Sequence, residues 1–258
     1  MSTVLFQIKQ QVAWLTLNRP DKYNSFNREM AISLQQLLDE CAENDDVRCI
    51  CLTGSGKAFC AGQDLSEFPD PAQIDFNQVV SEYYNPLIER LRHIEKPVVA
   101  AVNGVAAGAG ANLALACDIV MATESASFIQ AFSKIGLIPD SGGTFFLPRL
   151  VGLQQAAALM MLGDKVTAAE AAAMGMIYKA VADDAFTAET ERIAGTLAAM
   201  PTVGLGLTKQ LLNQSFGNSL DQQLALEKEL QTVAGATADF KEGVQAFLEK
   251  RKPVFTGK

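Results

Sequence analysis

One histidine, His93, is all that the 258 residues contain. It falls in a predicted helix before Glu95-Lys96-Pro97, with no reactive Ser or Cys signalled beside it. A Ser–His or Cys–His nucleophile is therefore not expected, and His93 reads as a surface residue. No His/Cys cluster has metal-ligand spacing, so no metal site is expected. Positive charge is also short: 21 Lys and Arg face 29 Asp and Glu, a formal net charge of -8. Nucleic acid needs clustered basic residues and is not an expected partner. A small phosphate-bearing ligand needs only a local basic rim and stays open. The cysteines (Cys41, Cys49, Cys51, Cys60, Cys117) are odd in number and lack a framework of spacings. Reduced thiols and a cytoplasmic location are the expectation, with Cys49 and Cys51 as buried structural thiols in an apolar run. The longest apolar stretch, residues 98–111, is broken by Asn103, Gly104, Gly108 and Gly110 and is too short to cross a membrane. Residues 1–6 show no basic region leading into an apolar run, so no signal peptide is expected.

Hydrophobic residues at 49% suffice for one large domain, or one domain with a small appendage. Residues 4–8 and 12–17 read as strands around a polar turn, the second ended by Pro20. Residues 27–44 carry Met30, Leu34, Leu37, Leu38 and Cys41 at helical spacing. Residues 47–53 form an apolar run before Gly54-Ser55-Gly56, which predicts a buried strand. The polar residues 61–79, with Pro69 and Pro71, predict an exposed loop. Residues 80–94 predict a helix kinked or restarted at Pro86. Strands follow at 97–102 and 119–122, with a small-residue helix between them. Together these give an α/β pattern of strand, turn, helix, strand. From Gln154 the chain turns helical and rich in Ala, Leu, Gln, Glu and Lys. Glu227, Lys228 and Glu229 mark a solvated face, and residues 159–162 are assigned to the core.

Three segments carry chemistry. Lys57 to Leu65 follows a buried strand and contains Gly62, which lets the backbone turn sharply and point N–H groups outward. An ordinary strand-to-helix turn explains it equally. Asn103 to Ala111 follows a strand and opens a helix, whose unpaired N–H groups and dipole favour an anion. It departs from the dinucleotide fingerprint, because Gly108-x-Gly110 is followed by Leu113, so a nicotinamide cofactor is not expected. Ile135 to Thr144 sets Asp140 among Phe132, Ile138 and Pro139. Desolvation there would raise its pKa into a range useful for proton transfer. Alternatively, Asp140 caps the helix that starts near Gly142.

Taken in order, Ala58-Phe59-Cys60-Ala61-Gly62-Gln63-Asp64-Leu65, Asn103-Gly104-Val105-Ala106-Ala107-Gly108-Ala109-Gly110 and Gly136-Leu137-Ile138-Pro139-Asp140-Ser141-Gly142-Gly143-Thr144 resemble the crotonase (enoyl-CoA hydratase/isomerase) superfamily. The likeness runs from Leu17-Asn18-Arg19-Pro20 and Asn24 to the tail at Phe255. It implies an α/β spiral of ββα units over residues 1–195. Residues 196–258 would then be a helical region building a trimer or a dimer of trimers. It implies an acyl-CoA thioester as substrate, with coenzyme A part of that substrate and no separate cofactor. It implies an oxyanion hole from the backbone N–H groups of Gln63 and Ala109, a device worth about 3–4 kcal/mol in the transition state. Ala61, Gln63, Asp64, Leu65, Gly108 and Gly110 would line the thioester and its CoA. Lys22 would meet a CoA phosphate, unless it is simply a solvated lysine.

The same resemblance separates reactions. Hydratases of the family carry two glutamates, and the matching positions here hold Asn112 and Phe132, neither of which exchanges a proton at neutral pH. Asp140 matches the position of a catalytic aspartate in dienoyl-CoA isomerases. A single carboxylate that takes a proton from one carbon and returns it to another performs isomerisation. The likeness points to a branch that converts a ring epoxide to an oxepin on the CoA thioester and also shifts double bonds. Asn85 and Asn112 either face the acyl pocket or act as structural amides.

Overall fold

The computed structural model describes residues 2–68, 70 and 74–258. Pro69 and Pro71, assigned to a loop from the sequence, lie outside these. The chain begins with an antiparallel pair, β1 (Val4–Lys9) and β2 (Val12–Leu17), in register from Val4 opposite Leu17 to Lys9 opposite Val12. Helix α1 (Arg28–Glu43) starts at Asn27, whose side chain accepts the N–H of Met30. It buries the apolar stripe Met30, Leu34, Leu38 and Cys41. Each fully buried leucine contributes about 1.5–3 kcal/mol.

Three strand pairs then define the architecture. They are β3 (Cys49–Gly54) with β4 (Ala58–Cys60), β5 (Val98–Val102) with β6 (Val105–Ala107), and β7 (Ile119–Thr123) with β8 (Ser127–Ile129). The first member of each pair joins one sheet, ordered β1-β2-β3-β5-β7-β10. The second joins another, ordered β4-β6-β8-β9. Strands β9 (Lys165–Thr167) and β10 (Lys179–Val181) close the two edges. From β2 to β10 the large sheet is parallel. Each turn of chain therefore adds one strand to each sheet, which is a spiral of ββα units.

Parallel strands covered on both faces must be apolar throughout, and β5 is buried at every position. Alternation divides its residues: Val98, Ala100 and Val102 enter the main core, while Val99 and Ala101 join Cys49, Cys51 and Met121 on the opposite face. That second face is covered by α8 (Phe186–Ala198) through Ile193, Ala194 and Ala198. The sequence boundary at residue 195 therefore falls inside one helix. Burial pushes the Cys49 thiol up to about 12, as expected of an inert structural cysteine.

The helix expected from residue 80 starts earlier. Helix α2 (Phe76–Gln78), capped by Asp75, runs through a π-helical turn, Val79–Tyr84, into α3 (Asn85–His93). Pro86 has no N–H, and the Gln35 amide instead donates to the carbonyls of Glu82 at 2.7 Å and Tyr83 at 3.3 Å. The expected restart at Pro86 is thus a wider helical turn just before it. The small-residue helix is α4 (Ala109–Leu115). Then come α5 (Gly143–Val151), α6 (Leu153–Leu162) and α7 (Ala168–Ala173). The chain closes with α9 (Thr202–Ser215), α10 (Leu220–Ala236) and α11 (Ala238–Leu248). Two of the residues assigned to the core, Met161 and Leu162, are exposed, because α6 packs on its other side through Ala156 and Leu159. Glu227, Lys228 and Glu229 are solvated, as is His93.

Candidate active site

The turn after β4 and the turn after β6 approach backbone to backbone. A Cβ added at Gly62 would stand 3.0 Å from the Ala107 carbonyl oxygen and 3.6 Å from the Ala109 nitrogen. A Cβ at Gly110 would stand 2.2 Å from the Cys60 carbonyl oxygen. Only glycine permits this contact. Gly62 and Gly108 also have φ of +89° and +54°, which side chains rarely adopt.

Pairing sets the direction of the Gln63 N–H. Phe26 bridges Gln63 in parallel, with the Phe26 N–H donating to Gly62 O at 2.7 Å and the Asp64 N–H donating to Phe26 O at 2.8 Å. The N–H of Gln63 itself therefore points away from Phe26. Ala109 is the first residue of α4, so its N–H has no partner within the helix. The two segments thus bring together an outward-pointing N–H and a helix-terminal N–H.

The Gln63 side chain is tied at both ends. Tyr84 Oη donates to its Oε1 at 2.6 Å, and its Nε2 donates to Glu67 Oε2 at 3.1 Å. Tyr84 is buried edge-to-face against Phe26, with ring centroids 5.9 Å apart. Burial holds its phenol well above the ordinary range, so it stays neutral, and nearby anionic groups including Asp140 act in the same direction. The sequence reading assigned no role to Tyr84. Its only signal was a tyrosine in the buried register of the helix just before Pro86.

Asp64 does not present a free carboxylate. It accepts from Ser66 Oγ at 2.5 Å, pairs with Arg19 Nη2 at 2.7 Å and accepts the Ser66 N–H at 3.0 Å, bonds that hold it below the ordinary carboxylate range despite its burial. Asp64 locks the turn that presents Gln63. Asn24, wholly buried, does the same from the other side by donating to Ser55 O and Ala58 O. Leu65 is 51% exposed, and Lys22 Nζ reaches Ser66 Oγ at 3.3 Å on the exposed rim beside it. Ala61 is half-buried, whereas Gly108 and Gly110 are buried.

Asp140 does not cap α5 with its side chain. The cap position is Gly142, in the left-handed region, with no side-chain bond. The Asp140 carboxylate accepts from Ser141 Oγ at 2.9 Å. Burial raises its pKa, with the Ser141 bond opposing. Its backbone carbonyl accepts the Gly143 N–H and Asn112 Nδ2, both at 2.9 Å. Asn112 is wholly buried, with Oδ1 accepting from Gln130 Nε2 at 2.8 Å, so it is a structural amide. Asn85 is exposed. Phe132 is buried with its ring edge over Gly108, where a Cβ would stand 3.8 Å away. An apolar ring and a consumed amide therefore occupy the two places at which a second acid–base group was sought.

Two strand sheets wound by ββα units bring the turns that carry Gln63 and Ala109 together backbone to backbone, and Asn112 of α4 holds the Asp140 segment against the same helix. Residues 7–258 match the family described as enoyl-CoA hydratase/isomerase, and the chain belongs to that family, with the crotonase fold. It is 49% identical to the 1,2-epoxyphenylacetyl-CoA isomerase of Escherichia coli, over 100% of both chains. It is 36% identical to the trans-2-decenoyl-acyl-carrier-protein isomerase of Streptococcus mutans, over 99% of this chain and 98% of that one. Among solved structures, the enoyl-CoA hydratase from Bacillus anthracis superposes with a TM-score of 0.92 at 33% identity, covering 99% of this chain and 100% of that one. No helix among the described residues is long and apolar enough to cross a membrane.

Proposed function

We propose that this chain is an acyl-CoA isomerase that converts 2-(1,2-epoxy-1,2-dihydrophenyl)acetyl-CoA to its oxepin isomer and also moves double bonds in unsaturated acyl-CoAs. The observation that carries this reading is Asp140, a half-buried carboxylate with no ion-pair partner among the described residues. It is hydrogen-bonded through its carbonyl to the helix whose first N–H is the second oxyanion donor. The thioester oxygen accepts from the N–H groups of Gln63 and Ala109. Asp140 removes a proton next to the thioester, the resulting enolate is held by the two donors, and the proton returns at another carbon. Nothing is added or lost, so the reading calls for no cofactor beyond the coenzyme A of the substrate. The aryl epoxide is favoured by the 49% identity to the Escherichia coli isomerase.

Lys22, with the exposed Leu65 beside it, fits the CoA end of the site. The apolar side chains Leu212, Phe216, Leu224, Phe240 and Phe247 on α9 to α11 are exposed in the single chain and fit the subunit contacts of a trimer or a dimer of trimers. The buried unpaired thiols suit a reducing cytoplasm.

The test is proton exchange. Wild type and Asp140→Asn are incubated with a 3-enoyl-CoA in deuterated water, and label and bond position are followed by NMR. The reading requires wild type to move the bond and take up deuterium, with the variant binding the thioester but doing neither. The ring epoxide is then the next substrate. Hydration of crotonyl-CoA at a useful rate that survives Asp140→Asn would replace this reading with a hydratase.

A further inference from the structure

The isomerase reading needs Asp140 held at a set distance from the oxyanion donors, yet Asp140 lies in an irregular segment before α5. What anchors it is an amide buried one helical turn from Ala109. Asn112 follows Ala109 by three residues, a rise of about 4.5 Å along α4. The helix that ends in an oxyanion N–H therefore also carries the group that grips Asp140.

The grip has one possible polarity. The Asp140 carbonyl can only accept, so Asn112 must turn Nδ2 toward it, at 2.9 Å. Asn112 Oδ1 must then face Gln130, which must present Nε2, at 2.8 Å. Rotating the Asn112 amide would set oxygen against oxygen at one end and NH₂ against NH₂ at the other. Gln130 is 3% exposed, and its Oε1 has no partner among the described residues. Its orientation is set by Asn112, at the cost of an orphaned acceptor. Gly143 leaves the room: a Cβ there would stand 2.3 Å from Asn112 Nδ2. A packing amide would not require a missing side chain opposite and an unsatisfied oxygen behind.

We propose that Asn112 is a positioning residue for Asp140, oriented by Gln130, and that this buried amide pair sets the carboxylate against the Ala109 N–H. The proposal rests on the isomerase reading. Asn112→Asp removes the donor at nearly constant volume, Asn112→Ala removes the amide, and Gln130→Ala removes the group behind it. Each is assayed for deuterium uptake into a 3-enoyl-CoA, with Asp140→Asn in parallel, and for binding of saturated butyryl-CoA by calorimetry.

Loss of positioning predicts turnover reduced up to about a hundredfold in both Asn112 variants, with butyryl-CoA affinity within about twofold of wild type. Gln130→Ala falls less, and the Asn112→Ala/Gln130→Ala double variant falls no further than Asn112→Ala, because the two act in series. Multiplying losses in the double variant, or wild-type turnover in Asn112→Asp, overturns the proposal. Should neither Asn112 variant fold, Gln130→Ala decides: reduced turnover with unchanged affinity supports positioning, and unchanged turnover rejects it. Wild-type exchange by Asp140→Asn removes the isomerase reading and this proposal together. An inert Asp140→Asn beside a fully active Asn112→Asp removes the proposal alone.

Discussion

The hydroxyl of Tyr84 donates to Oε1 of Gln63 at 2.6 Å, across 21 residues of sequence, and Gln63 is the residue whose backbone N–H the proposed function takes as the first oxyanion donor. The π-helical turn ahead of Pro86 is the local structure that presents this hydroxyl. π-Turns recur at functional sites because they re-aim side chains without ending a helix. Tyr84→Phe keeps the ring against Phe26 and removes only the bond. Turnover is expected to fall about tenfold, the equivalent of one ordinary hydrogen bond, and stability by about 1–2 kcal/mol. Deuterium uptake and urea unfolding measure the two effects. Unchanged uptake would mean that the Gln63 side chain and its backbone N–H are uncoupled.

At Asp140 the proposed function and stability oppose each other. Burial raises its folded-state pKa above 3.8, so the folded protein holds that proton more tightly than the unfolded chain. Its contribution to stability is complete below 3.8 and is lost as pH rises through the raised value. Above that, the ionised carboxylate weighs against the fold. Asp140→Asn removes the charge, so its Tm should exceed that of wild type at pH 7. The gap should close as pH falls through the raised value and below 3.8, where both side chains become neutral. Thermal unfolding across that range checks the sign. A variant less stable at neutral pH would show that the Ser141 bond outweighs desolvation.

Gly110 makes a sharper steric prediction than Gly108. A Cβ at Gly110 meets backbone, the Cys60 carbonyl oxygen at 2.2 Å, and nothing there can rotate away. At Gly108 the nearest atoms are the Phe132 ring edge at 3.8 Å, leaving only the cost of a positive φ. Gly110→Ala should therefore separate β4 from α4 and destabilise by about 1–3 kcal/mol or more. Gly108→Ala should cost about 1–2 kcal/mol of backbone strain. Chemical denaturation of both variants tests the order, and a more damaging Gly108→Ala would contradict the close approach of β4 and α4.

The glycines explain why much of the site was legible in the sequence. Gly62, Gly108 and Gly110 announce a requirement of the backbone by their identity alone. Helices were legible where an apolar stripe repeats over several turns, as with Met30, Leu34 and Leu38. Strands β4, β6 and β8 were not: three residues each are too few for alternation to show. The second sheet, and with it the two-sheet spiral, was expected only through likeness to a family. The pairs Tyr84–Gln63 and Asn112–Asp140 span 21 and 28 residues, and no local pattern encodes which distant group a side chain will meet. The same holds for Asp64, whose carboxylate is consumed by Arg19.

Lys209 offers a last test, of how the helical region is joined to the spiral. Its side chain is 7% exposed and lies 2.8 Å from Asp118 Oδ2, at the start of β7. Asp118 also accepts from Arg92 Nη1 at 3.1 Å and from the Val98 N–H at 2.8 Å. One carboxylate thus ties α9, α3 and β5 together. Burial lowers the Lys209 pKa while Asp118 opposes, which marks a cation kept inside chiefly by its ion-pair partner. Lys209→Met preserves the length of the side chain and deletes its charge. Orphaning a buried ion costs about 3–5 kcal/mol. Because Arg92 and the Val98 N–H still serve Asp118, a smaller loss of about 2 kcal/mol is expected here. Adding Asp118→Asn should cost less in the Lys209→Met background than in wild type, since the Lys209 charge it would abandon is already gone. Urea unfolding of the four proteins closes the cycle. Strict additivity would mean that the pair is adjacent but not coupled, and that α9 is held by its other contacts, such as Asn213 with Arg92.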